Sequence, residues 1–109
     1  AYCIKGQYDK AISDYNKAIE LDPDYVEAYF NRGNAYDEKG QYKQAISDFT
    51  RAIKINPRFA EAYNNRALAS YFKREYDKAW EDVHKAQSLG YEVHQEFLKA
   101  LREASGRQQ

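Results

Sequence analysis

The chain repeats itself every 34 residues, and any fold must accommodate that period before anything else. Gly6 returns as Gly40, Pro23 as Pro57, and Tyr8 as Tyr42 and Tyr76. Ala11 returns as Ala45 and Ala79, Asp14 as Asp48 and Asp82, Ala18 as Ala52 and Ala86. A unit this short cannot bury its own apolar face and must stack on its neighbours. Stacking gives a long continuous surface and no obvious cavity for chemistry. The period therefore points towards binding.

Within the unit Val26 to Phe59, Ala28, Tyr29, Gly33, Ala35 and Tyr36 fall at the spacings of an amphipathic helix. Asp24 with Glu27 three residues on resembles a capping box. Gly40 supplies a left-handed residue to end the helix. A second helix follows from about Tyr42, with Ala45, Ile46, Phe49, Ala52 and Ile53 as its stripe, and Pro57 stops it. The unit is helix–turn–helix. The period divides the chain into a partial unit over 1–25 (a truncated first helix plus a second helix), complete units over 26–59 and 60–93, and a capping helix with a polar tail over 94–109. In the third unit Arg74 stands at the position of Gly40, which costs about 1 kcal/mol if the left-handed geometry is kept. Trp80 replaces Ile46 and Tyr91 replaces Pro57. In the last segment Phe97, Leu101 and Ala104 form the apolar stripe, with Lys99, Arg102 and Glu103 outward. The chain opens in mid-motif at Ala1 and reads as an excised fragment or as a tail ordered by a partner, whereas the polar tail reads as a natural end.

Composition narrows the classes. In 109 residues, 17 basic and 17 acidic side chains balance, with no block of one sign for nucleic acid or an anionic membrane. No apolar run approaches the ~20 residues of a membrane span, so no membrane insertion is expected. The one cysteine, Cys3, excludes an intrachain disulfide, and a free thiol suits a reducing, cytoplasmic setting. Most of the eleven tyrosines recur with the period, which assigns them to packing.

At this point the residues match a known pattern. The chain resembles the tetratricopeptide repeat family, whose signature is Trp, Leu, Gly, Tyr, Ala, Phe, Ala and Pro at set spacings. The central unit reads Tyr29, Arg32, Gly33, Tyr36, Ala45, Phe49, Ala52 and Pro57. The third reads Tyr63, Arg66, Ala67, Ser70, Ala79, Val83, Ala86 and Tyr91. The first keeps Tyr2, Ala11, Tyr15, Ala18 and Pro23. The resemblance implies an all-α fold, a right-handed α-solenoid of stacked helix–turn–helix repeats, whose leading helices line a concave groove. It also implies a protein–protein scaffold or adaptor. Arg32 and Arg66 depart from the family's Leu, and Asp14, Asp48 and Asp82 recur on the second helices. The planar guanidinium fork suits bidentate bonds to carboxylates, so these arginines are expected to bridge packed helices.

If that geometry holds, helical spacing selects the groove face. It carries Cys3 and Ile4, then Glu27, Phe30, Asn31, Asn34, Asp37 and Glu38. The third unit adds Glu61, Asn64, Asn65, Leu68, Tyr71 and Phe72, and the capping helix adds Gln95, Leu98, Lys99 and Arg102. Asparagine is a poor helix former, yet four cluster here. An amide offers both donor and acceptor, which suits the backbone of an extended peptide. Phe30, Leu68, Tyr71 and Phe72 would supply apolar pockets. The expected partner is a protein or peptide in this groove. The alternative is a homo-oligomer joined through an apolar N-terminal end-face of Tyr2, Cys3, Ile4, Ile12 and Tyr15.

Some family members grip the C-terminal carboxylate of heat-shock chaperones with Lys, Asn, Asn, Lys and Arg on three successive leading helices. Asn34 and Asn65 match the two asparagines, but Phe30, Gln95 and Lys99 stand at the other slots. Starting one unit earlier, Asn31 matches, while Glu61 and Asn65 replace Lys and Arg, and Glu61 would repel a carboxylate. The electrostatic part of such a clamp is largely missing. His84 and His94 lie on different elements, no metal-ligand spacing or phosphate loop is present, and no acid–base constellation can be assembled. The sequence reads as no enzyme, with no cofactor and no metal.

Overall fold

The alternation of apolar stripes and helix stops is realised as a ladder of antiparallel helices. The computed structural model describes residues 4–106; the expectations for Ala1, Tyr2 and Cys3 lie outside them. α1 spans Ile4–Leu21, α2 Val26–Glu38, α3 Tyr42–Ile55, α4 Ala60–Phe72, α5 Tyr76–Ser88 and α6 Gln95–Ser105. No strand forms among the described residues. α2 and α3 make one hairpin and α4 and α5 the next, with α1 packed on α2 and α6 on α5. The leading helices α2 and α4 also touch, whereas a cleft opens between α3 and α5. The leading helices therefore lie on the inside of a curved stack. The radius of gyration, 14.2 Å, exceeds the ~13 Å of a compact domain of this length.

The hairpin turns follow the backbone chemistry. Gly40 adopts φ 78°, and the Gln41 N–H donates to the Tyr36 carbonyl at 2.9 Å, satisfying a carbonyl of the last helical turn. Arg74 keeps the same geometry at φ 64° without being glycine, and Glu75 N–H donates to Ser70 O at 2.9 Å. Between units the stop is different. Asp22 and Asn56 accept the N–H two residues on, from Asp24 at 3.1 Å and Arg58 at 3.2 Å, spanning Pro23 and Pro57. These Asx turns hold the chain between helices.

Three expectations are corrected. The capping box at Asp24 does not form: the N-cap of α2 is Tyr25, with no side-chain cap, because the Asx turn of Asp22 already orders that segment. Gly6 lies inside α1 instead of ending a helix. Glycine permits the left-handed backbone without requiring it, and Gly6 is not among the positive-φ residues. On α6 the buried residues are Phe97, Leu98 and Leu101, and Ala104 is exposed. The last turn of α6 stands off the α4–α5 turn, leaving an open cleft of about 420 Å³ where Ala104 lies.

Two clusters fill the stack. Tyr29, Phe30, Ala45, Phe49, Ala52 and Ala62 form one, and Tyr63, Trp80, Val83, Phe97, Leu98 and Leu101 belong to the other. The recurring alanines let neighbouring helices close up. Trp80 anchors α6: its Nε1 donates to Ser105 Oγ at 3.0 Å, and Ser105 Oγ donates to Leu101 O at 2.7 Å. The arginines bridge helices as the sequence leads one to expect. Arg32 grips Asp48 with Nε at 2.8 Å and Nη2 at 2.7 Å, and reaches Asn16 Oδ1 at 2.7 Å. Arg66 grips Asp82 at 2.8 Å twice and Thr50 Oγ1 at 3.1 Å. Each arginine thus ties its own hairpin to the second helix of the unit before. The hydrogen bonds to the aspartates hold both guanidinium pKa values above their ordinary value.

Candidate binding face on the leading helices

Helical spacing on α2 and α4 decides which side chains share the inner face, and the contact between those helices brings them together. Asn65 Nδ2 donates to Asn34 Oδ1 at 2.9 Å, and Asn64 Nδ2 donates to Asn65 Oδ1 at 3.2 Å. The three amides form a continuous polar line across two units. An amide has two donors and two acceptor sites, so these bonds leave much of each amide's capacity. Glu27, Asn31 and Glu61 are exposed, and Asn34 and Asn65 half-buried, while Asn64 is buried.

The apolar members divide. Phe30 is only 9% exposed and packs against Phe49 and Phe59, with ring centroids 5.9 and 4.6 Å away. It is a core residue that meets the groove only at its edge. Leu68 and Tyr71 are half-buried against the second cluster. Phe72 stays 53% exposed, stacked on Tyr42 at 5.1 Å and edge-on to Tyr71 at 5.3 Å. It is the most accessible aromatic surface of the face. On α6, Lys99 is exposed and Arg102 half-buried. Leu98, expected on the groove, is turned into the core.

Asp37 is the electrostatic anomaly. Its Oδ1 is buried with no hydrogen-bond partner. Burial, reinforced by the neighbouring Glu38 charge, pushes its carboxyl up to about 6. Glu38 itself is exposed and accepts from the Tyr8 hydroxyl at 3.2 Å. That contact shows a part of the face the groove reading missed. Tyr8 and Tyr15 of α1 line an open cleft of about 240 Å³ together with Asn31 and Asn34. The signal was in the period, which sets Tyr8 at the position of Tyr42. Among the described residues no three His, Cys, Asp or Glu side chains gather as a metal would require, and no helix is long and apolar enough to cross a membrane.

Comparison with known proteins agrees with this architecture. Family models described as TPR repeat and tetratricopeptide repeat match residues 1–39, 26–59 and 49–81. Among solved structures, the chain is similar to the first TPR of Spaghetti (RPAP3) bound to the HSP90 peptide SRMEEVD. Identity is 28%, covering 96% of this chain and 82% of that one, with a TM-score of 0.82. The NMR structure of the first TPR domain of human RPAP3 matches at 28% identity over the same shares, with a TM-score of 0.81. A crystal structure of MamA matches at 33% identity and a TM-score of 0.72, over 75% of this chain but only 45% of that one. No curated protein matches in sequence. With three matching models along most of its length and helical hairpins stacked at the same period, the chain belongs to the tetratricopeptide repeat family.

Proposed function

We propose that the chain is a protein-interaction module that holds an extended or partly helical peptide segment of a partner along the face of α2, α4 and α6. The observation that carries this reading is the amide line Asn34–Asn65–Asn64 crossing two units, flanked by the exposed ring of Phe72. Amides pair with a peptide backbone and the aromatic surface receives side chains. That the similar RPAP3 domain is bound to a peptide supports peptide binding as the activity. It does not transfer the ligand: the chaperone-tail clamp has basic residues where this chain has Phe30 and Gln95. Selection from a random peptide library, followed by titration against Asn34→Ala and Asn65→Ala, tests the reading. Both variants are expected to bind the selected peptide at least tenfold more weakly while folding normally. Selected peptides indifferent to both changes would overturn it.

A second reading has its own observation. Leu21 is 88% and Tyr25 44% exposed, although Ile55 and Phe59, one period later, pack against the core. This apolar end favours self-association of the chain. Light scattering over a concentration series, with Leu21→Asp as control, separates the two readings. A mass that grows with concentration and falls back in the variant supports assembly, and a constant monomer mass removes it.

A further inference from the structure

On the side of the stack away from the leading-helix face, the two complete units differ at one position with a structural consequence. In the central unit Tyr36 lies against the Arg32 guanidinium, 5.9 Å from ring centroid to Cζ, with Tyr29 a second aromatic neighbour at 5.7 Å. In the third unit Tyr63 repeats the contact of Tyr29, at 5.6 Å from Arg66. Tyr36, however, is replaced by Ser70, which is buried at 2% exposure. At this position of the third unit a cleft of about 270 Å³ lies between α3, α4 and α5, with Arg66 and Ser70 among its lining residues and Ile46 and Thr50 on its α3 side. Arg66 remains fixed by Asp82 and Thr50, so its guanidinium is held in place without the second ring.

We infer that this cleft receives a tyrosine side chain presented by a protein partner, which takes the place Tyr36 has in the unit before. A guanidinium attracts the face of an aromatic ring, more strongly where water is excluded. A guanidinium already oriented by two hydrogen bonds to Asp82 loses little further freedom on accepting one. Tyrosine is favoured over phenylalanine by the rim. Glu75, Lys78 and Glu81 stand around the opening, where the central unit has Gln41, Gln44 and Ser47. A phenol can donate to either carboxylate or accept from the ammonium. The site lies between α3, α4 and α5 and shares no lining residue with the peptide face, although α4 contributes to both.

The probe is p-cresol, the tyrosine side chain in isolation, titrated into the whole chain and followed by the Arg66 Nε–H resonance. A saturable shift with a dissociation constant on the order of millimolar is expected for a ligand of this size. Toluene should bind several-fold more weakly, and Ser70→Tyr should abolish the shift by filling the cleft from within. Ser70→Tyr is expected to melt no lower than the native chain, since the central unit carries that ring. An Arg66 resonance unmoved up to the solubility limit of p-cresol would overturn the inference in the native chain alone, whatever the variant does. Shifts confined to Asn34, Asn65 or Phe72 would equally overturn it, by placing the phenol on the opposite face.

Discussion

Gly33 and Phe49 touch so closely that the ring occupies the space a side chain at position 33 would need. A Cβ built on Gly33 would lie 2.7 Å from the Phe49 ring, closer than carbon atoms tolerate. The same two positions in the next unit are Ala67 and Val83, both fully buried. One unit pairs the smallest residue with a large ring, and the other pairs a methyl with a smaller branched chain. Volume is conserved across the helix crossing while its division changes.

Gly33→Ala is therefore expected to destabilise the chain by about 1–3 kcal/mol through overpacking, despite alanine's better helix propensity. Combining it with Phe49→Val should return at least about 1 kcal/mol of coupling in a double-mutant cycle. Urea denaturation of the four proteins measures this. Additive effects would mean that the two positions do not share the crossing.

Arg74 carries a left-handed backbone that glycine adopts freely. Arg74→Gly should raise stability by about 1 kcal/mol, and Gly40→Arg should lower it by a similar amount. Thermal melts of both variants check the pair of opposite signs.

Asp37 gives a pH dependence. Its folded-state pKa of about 6 lies above the ordinary 3.8. The carboxyl thus favours folding only while protonated, fully below about pH 3.8 and no longer above about pH 6. Asp37→Asn should stabilise the chain at pH 7 by roughly 1 kcal/mol, allowing for solvent screening of this half-buried group. The gain should vanish at pH 4. Denaturation midpoints at the two pH values measure it, and an equal gain at both would locate the effect elsewhere.

The Arg32–Asp48 pair is expected to matter most when broken on one side. Asp48→Ala leaves the guanidinium partly buried without its partner and should cost about 2–3 kcal/mol, whereas Arg32→Leu combined with Asp48→Ala should cost much less. A larger loss in the double variant than in the single would contradict this.

Much of the fold was legible because the period carried it. Repeated alanines, Pro57 and Gly40 marked helix faces and stops, and the recurrence of Arg32 with Asp48 pointed to a cross-helix bond. What the sequence obscured was local. Asp24 looked like a cap because capping residues and Asx-turn residues are the same types, and only geometry shows that Asp22 is the one that bonds. Gly6 looked like a turn because glycine permits left-handed backbone without requiring it. On the candidate face, spacing placed Asn34, Asn65 and Phe72 on one side. It could not foresee that Phe30 would find Phe49 and Phe59, since a helix position at the edge of a face turns whichever way its neighbours provide contact. Nor could it show that Ser70, at the position of Tyr36, lines a cleft.

Binding on the inner face of α2, α4 and α6, as proposed, is decided by an NMR titration of the chain with a library-selected peptide. The side-chain amides of Asn31, Asn34 and Asn65 and the ring of Phe72 should shift together and saturate at one peptide per chain. Shifts confined to Leu21 and Tyr25 at the end of the stack, with the asparagine amides unmoved, would contradict it.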